Sequence, residues 1–111
     1  MHLKTFSLID KPELGYVLSP AYDMVASNLV VKGDEEELAL TINGKKKKLM
    51  KNDFLEAINR FDIDPKAVEN MFDKLKKSEQ QWHEFIDISF IPDDMKKSYH
   101  ELIYDSVSRI Y

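Results

Sequence analysis

Near residue 50 the apolar residues of this chain change their spacing, and no other feature constrains the fold as strongly. Before that point Leu38, Leu40 and Ile42 alternate with Ala39 and Thr41, the period-two pattern of a strand with one buried face. Asn43-Gly44 comes next, a pair suited to the two positive-φ positions of a type I′ turn. Residues 45–49 are therefore expected to return as the second strand of a hairpin. After that point Phe54, Leu55, Ile58 and Phe61 recur at helical spacing. Strands succeeded by helices read as an α+β chain.

An earlier hairpin is expected over residues 1–23. Residues 3–9 read as a strand with Phe6 and Leu8 on one face and Ser7 and Ile9 on the other. Pro12 and Gly15 mark the loop, and Tyr16, Val17 and Leu18 return until Pro20, which has no N–H to give a ladder. Residues 21–31 are apolar but irregular. The run Asp34-Glu35-Glu36-Glu37 is expected to be a solvated acidic loop. Lys45 to Lys48 have the composition of a phosphate or nucleic-acid patch. On a short exposed strand beside an acidic run, edge protection is the better reading.

The helical half divides at its own signals. Asn52 is expected to cap the first helix. Asp64-Pro65 gives a cap with proline at the first helical position, ahead of Val68, Met71, Phe72 and Leu75. Ser78 with Gln81 fits a capping box opening a helix that buries Trp82, Phe85 and Ile86. Pro92, Asp93 and Asp94 open the last helix, with Met95, Tyr99, Leu102, Ile103, Val107 and Ile110 as its stripe. These stripes are expected to be core. The fold expected is thus α+β and predominantly helical: one domain over 1–111, two β-hairpins (1–23 and 34–50) and about four helices in a bundle over 51–111.

A formal charge of −4 on 111 residues gives no support for direct nucleic-acid binding. The chain has no cysteine, which excludes disulfides and thiolate metal sites. His83 and His100 stand without a second His or Cys at ligand spacing, so no structural zinc site is expected. There is no signal-peptide h-region and no long apolar run, so no membrane association is expected and a cytoplasmic protein is.

The order of residues in the first hairpin says more. His2-Leu3-Lys4-Thr5-Phe6-Ser7-Leu8 and Leu18-Ser19-Pro20-Ala21-Tyr22-Asp23 resemble the active-site strip of HipA-like toxin kinases. There Asp-x-His-Leu-(Lys/Arg)-Asn-Phe-Ser-Leu runs through a hairpin into Leu-Ser-Pro-Ala-Tyr-Asp. In that family the first Asp is the catalytic base, and the Asn and the last Asp hold Mg²⁺. His2, Leu3, Phe6, Ser7 and Leu8 match, and Lys4 is one of the two basic choices. Thr5 stands where the metal-binding Asn would be. Asp23 stands at the second metal-binding Asp, behind the matching Ser19, Pro20, Ala21 and Tyr22. The catalytic Asp would fall immediately before Met1. The stretch Glu-Leu-Ala-Leu-Thr-Ile-Asn-Gly-Lys-Lys over residues 37–46 is similar to the segment after the Tyr-Asp motif in the same family.

The resemblance implies the C-terminal lobe of a serine/threonine protein kinase using ATP and Mg²⁺, the toxin of a bacterial toxin–antitoxin pair. It implies aminoacyl-tRNA synthetases as substrates and a DNA-binding helix-turn-helix antitoxin as partner. Kinase chemistry needs a carboxylate to orient the nucleophile and further ligands to hold the metals on the phosphates. The base, a Gly-rich nucleotide loop and an upstream lysine strand have no match in these residues, so ATP and Mg²⁺ are not expected bound to the isolated chain. Asp23, with Thr5 as a weak second ligand, is not expected to hold Mg²⁺ tightly without phosphate oxygens. Two readings are open: a kinase fragment or subunit completed by an N-terminal piece, or a non-catalytic domain that binds a HipA-like kinase or its antitoxin. The apolar residues Leu3, Phe6, Leu8, Tyr16 and Leu18 are expected to be partly bare. Self-association through residues 2–19 as a two-fold dimer is expected in consequence.

Overall fold

The computed structural model describes residues 5–111. A short antiparallel ribbon, β1 (Leu8–Lys11) with β2 (Gly15–Leu18), precedes α1 (Ser27–Val30), α2 (Lys51–Asn59), α3 (Pro65–Asp87) and α4 (Asp93–Ile110). The α+β, predominantly helical class expected from the residue pattern is thus the class observed.

In the ribbon Leu8 faces Leu18 and Lys11 faces Gly15. The turn closes with the Leu14 amide donating to the Lys11 carbonyl at 3.1 Å. Glu13 takes φ 72° and Gly15 φ 70° there. One further bond, Ser19 N–H to Ser7 carbonyl at 2.8 Å, extends the pairing beyond the ladder. The first strand begins at Leu8, later than the expected residue 3; Thr5, Phe6 and Ser7 lie ahead of it.

The second hairpin keeps its turn and loses most of its ladder. Asn43 and Gly44 adopt φ 50° and 73°, the two positive angles of a type I′ turn. Ile42 and Lys45 exchange two 2.9 Å bonds as an isolated bridge. The Lys46 carbonyl then accepts from the Glu37 amide at 2.8 Å and from the Leu38 amide at 3.2 Å, so residues 39–41 loop out between these contacts. Where the ladder is lost, Glu36 pairs with Lys46 and Glu37 with Arg109.

Helix starts agree with the local signals at two points and depart at two. Asp64 Oδ1 accepts from the Ala67 amide at 3.1 Å, with Pro65 at the first helical position. Pro92 precedes α4, whose first turn carries Asp93 and Asp94 and whose last carries Arg109, the polarity that suits the helix dipole. Asn52, however, lies inside α2. The start of that helix is held instead by Asp53, whose Oδ2 accepts from the Met50 amide at 3.0 Å. Ser78 opens nothing: α3 runs unbroken for 23 residues, and the Ser78 hydroxyl donates back to the Lys74 carbonyl at 2.9 Å.

The core is small. Leu49 and Val68 are the buried apolar residues among those described, beside the buried carboxylate of Asp53. Reading all the stripes as core is therefore corrected, since Phe61, Met71 and Phe85 are exposed, Phe85 to 71%. The reason is geometric. At about 100° per residue, Val68, Phe72, His83 and Ile86 form one row on α3, while Met71, Leu75, Trp82 and Phe85 form a second about a quarter-turn away. The first row meets α4, as Phe72 packs edge-on against Tyr111 and its carbonyl accepts from the Tyr111 hydroxyl. The second row is largely exposed. The radius of gyration is 16.0 Å, against about 13 Å for a tightly packed domain of this length. No described helix is long and apolar enough to cross a membrane.

Candidate functional site

Two of the residues singled out from the sequence, Thr5 and Asp23, line one groove. The chain leaving the ribbon, residues 23–27, forms one wall with Thr5, while α3 and α4 supply Trp82, Tyr99, Leu102 and Ile103 opposite. Asp34 and Glu36 to Ala39, with Lys46, complete the lining of an open groove of about 950 Å³. Thr5 and Asp23, eighteen positions apart in the sequence, are thereby brought to one concavity. Thr5 is half-buried and Asp23 exposed.

Asp23 sits at φ 52°, in the left-handed region. A non-glycine residue there is uncommon, although Asp and Asn tolerate it best. Glu13, Asn43, Lys48 and Asp62 adopt the same region. The preceding Pro20 stops the strand, and residues 19–26 run on without regular structure into α1. Ser19 serves the ribbon through its backbone bond to Ser7, and Tyr22 is exposed on the same connection. His2 and Lys4 lie outside the described residues.

Charge around the groove is organised by pairing. Lys46 bonds Glu36 at 3.1 Å and Lys47 bonds Glu35 at 2.7 Å. The Lys47 hydrogen bond, then its charge, lowers the Glu35 pKa, and Glu35 raises that of Lys47 in return. Asp34 is lowered by a hydrogen bond from the Ser27 side chain and then by the Glu36 amide. For Glu37, burial pushes upward, but the Arg109 guanidinium and the Leu49 amide outweigh it and the net shift is downward. At the start of α2, Asp53 accepts from Lys45 Nζ at 2.8 Å, Met50 N–H at 3.0 Å and Asn43 Nδ2 at 3.0 Å. Those bonds, Lys45 first, hold it at about 2. Three of the four consecutive lysines are thus committed to carboxylates of the same chain.

Among the described residues no three His, Cys, Asp or Glu side chains are grouped to share a metal ion. From the family-like positions, Thr5 and Asp23 both line the groove.

One pairing has no signal in the sequence. His83 and His100, expected as isolated helix-face residues, meet across α3 and α4 with Nδ1 atoms 2.5 Å apart. Seventeen positions separate them, and only the antiparallel α3–α4 hairpin, turning at residues 88–92, brings them together.

A family model described as the HipA-like C-terminal domain matches residues 1–82. A search of curated proteins gave no match.

Proposed function

The chain belongs to the HipA-like C-terminal domain family, and from that premise we propose that it is a fragment or subunit of a HipA-like serine/threonine kinase of a toxin–antitoxin system. In this reading residues 1–111 supply the metal side of the active site and are not catalytically complete alone. Asp23 would hold Mg²⁺ on ATP phosphates, with Thr5 as a weaker ligand. The bound metal would neutralise phosphate charge during phosphoryl transfer. The catalytic carboxylate and the nucleotide loop would come from a preceding piece of kinase. The observation that carries the proposal is that Thr5 and Asp23, matched to the family's metal positions, line one groove with Asp23 held at positive φ.

The test is phosphoryl transfer from Mg·ATP to a protein substrate. The chain alone is expected to be inactive and to gain activity when mixed with the N-terminal lobe of a HipA-like kinase. Asp23→Ala should abolish that gain. Transfer by the chain alone, or a gain indifferent to Asp23→Ala, would refute the proposal.

A second reading is favoured by the ribbon. Leu8, Leu14, Tyr16 and Leu18 are all exposed, Tyr16 to 76%. Contiguous apolar surface of this kind marks association. A non-catalytic domain that binds an intact HipA-like kinase, its helix-turn-helix antitoxin or a second copy of itself would use this surface. Binding of such a partner by the chain, undiminished by Asp23→Ala and lost on Tyr16→Asp, would favour this reading over the first.

A further inference from the structure

Residues 83–111 lie beyond the span matched to the family, and the kinase reading gives the turn between α3 and α4 no role. Trp82, Phe85 and Ile88 recur there at three-residue spacing along one side of the end of α3, and Phe90 follows in the turn. Phe85, Ile88 and Phe90 are exposed, Ile88 to 78% and Phe90 completely. α4 packs on the other row of α3, where Phe72 meets Tyr111, so no described element covers these side chains. Single exposed apolar residues are ordinary, but a cluster of large ones marks an association surface.

Charge is as one-sided as hydropathy at this turn. Residues 78–95 hold Glu79, Glu84, Asp87, Asp93 and Asp94 without a lysine or arginine, five negative charges where the whole chain has a net −4. Glu84 accepts from the neutral Gln80 amide at 2.9 Å, which leaves its charge standing. The side chains of Asp87 and Asp93 are 66% and 100% exposed, and Asp94 is exposed beside them. Lys96 offsets part of this charge, donating to the Asp87 carbonyl at 2.8 Å and lying 3.8 Å from Asp93 Oδ1. The ribbon differs, since Lys11 stands between Asp10 and Glu13 along its apolar residues.

We propose that the end of α3 and its turn into α4 form a docking surface for a basic amphipathic helix of another protein. Apolar side chains in a strip along a straight helix fit a second helix laid beside it. The carboxylates around the strip require lysine or arginine on the occupant. Their sign repels the anionic face of a membrane and the phosphates of a nucleic acid. A second copy meeting turn to turn would bring the same five carboxylates against these. Lys45, Lys46, Lys47 and Arg109 of such a copy are already engaged by carboxylates of their own chain.

The test titrates the full chain with a synthetic amphipathic helix made of leucine and lysine. Trp82, the chain's single tryptophan, reports binding by its emission. The peptide is expected to shift that emission to the blue, with an affinity that falls as salt is added. A peptide with glutamate in place of lysine should not bind. Phe85→Ala with Phe90→Ala should lower the affinity about tenfold or more. Asp93→Asn with Asp94→Asn should lower it severalfold at low salt. Absence of binding, equal binding of the two peptides, or an affinity indifferent to either pair of substitutions would overturn the proposal. Self-association of the chain, or a Trp82 shift on anionic vesicles, would overturn it as well if Phe85→Ala with Phe90→Ala removed the effect. Should the phenylalanine pair fail to fold, the aspartate pair and the glutamate peptide decide.

Discussion

Arg109 donates from Nη1 to Glu37 Oε1 over 2.6 Å, joining residues 72 positions apart, while the other Glu37 oxygen accepts from the Leu49 amide at 3.1 Å. The end of α4 is thereby tied to the acidic run and to Leu49, one of the two buried apolar residues among those described. Both side chains of the pair are about three-quarters buried. Removing one partner strands a partly buried charge, which costs more than an exposed pair is worth. Arg109→Ala is expected to lower unfolding free energy by about 1–2 kcal/mol in urea titrations. Because the Glu37 pKa is lowered on folding, its contribution is present above the ordinary glutamate value and disappears as pH falls through the folded value. The Arg109→Ala defect should therefore shrink in acid.

The surface pairs Lys46–Glu36 and Lys47–Glu35 have the opposite expectation. Each is exposed, where screening and side-chain entropy leave little net stabilisation. Glu35→Gln and Glu36→Gln should each leave the urea midpoint nearly unchanged. A clear loss would mean that the acidic run does more than neutralise the lysines.

Asp53 should dominate the acid limb. Its pKa is about 2 when folded, held by Lys45, the Met50 amide and Asn43. A depressed carboxylate stabilises the fold above its unfolded value, about 3.9, and loses that contribution as pH falls towards the folded one. The native chain is expected to lose stability between about pH 4 and pH 2. Asp53→Asn should be less stable at neutral pH and flatter over the same window. Melting temperature against pH checks both points.

Gly44 tests the turn. It stands at φ 73° with open space where a Cβ would go, so only the backbone opposes a side chain. Gly44→Ala is expected to cost about 1 kcal/mol by urea titration, the usual penalty for a left-handed non-glycine residue.

The exposed ribbon makes association measurable. Sedimentation equilibrium at micromolar concentration is expected to show a dimer that Leu8→Lys with Tyr16→Asp returns to monomer. A monomeric native chain would remove the self-association arm of the second reading.

What the sequence determined by itself is local. Asn43-Gly44 makes its type I′ turn because two residues tolerant of positive φ suffice for it, and Asp64-Pro65 starts α3 because a cap needs only its own next three residues. The period change near residue 50 marks the start of the three long helices for the same reason. Tertiary structure decided the rest. Ser78 has every mark of a cap, yet packing of α4 along α3 favours one continuous helix, so its hydroxyl bonds Lys74 instead. Leu38, Leu40 and Ile42 alternate as a strand should, but Glu37 is tied to Arg109 at the end of α4 and the ladder is reduced to the Ile42–Lys45 bridge. Phe85 looks as buried as Phe72 in a hydrophobic pattern, and only the azimuth at which α4 docks separates them. His83 and His100 lie 17 positions apart and meet solely because α3 and α4 fold back as a hairpin. A residue's own neighbours set its backbone preference, whereas burial and ion pairing depend on which distant surface arrives, and that is fixed by the packing of whole elements.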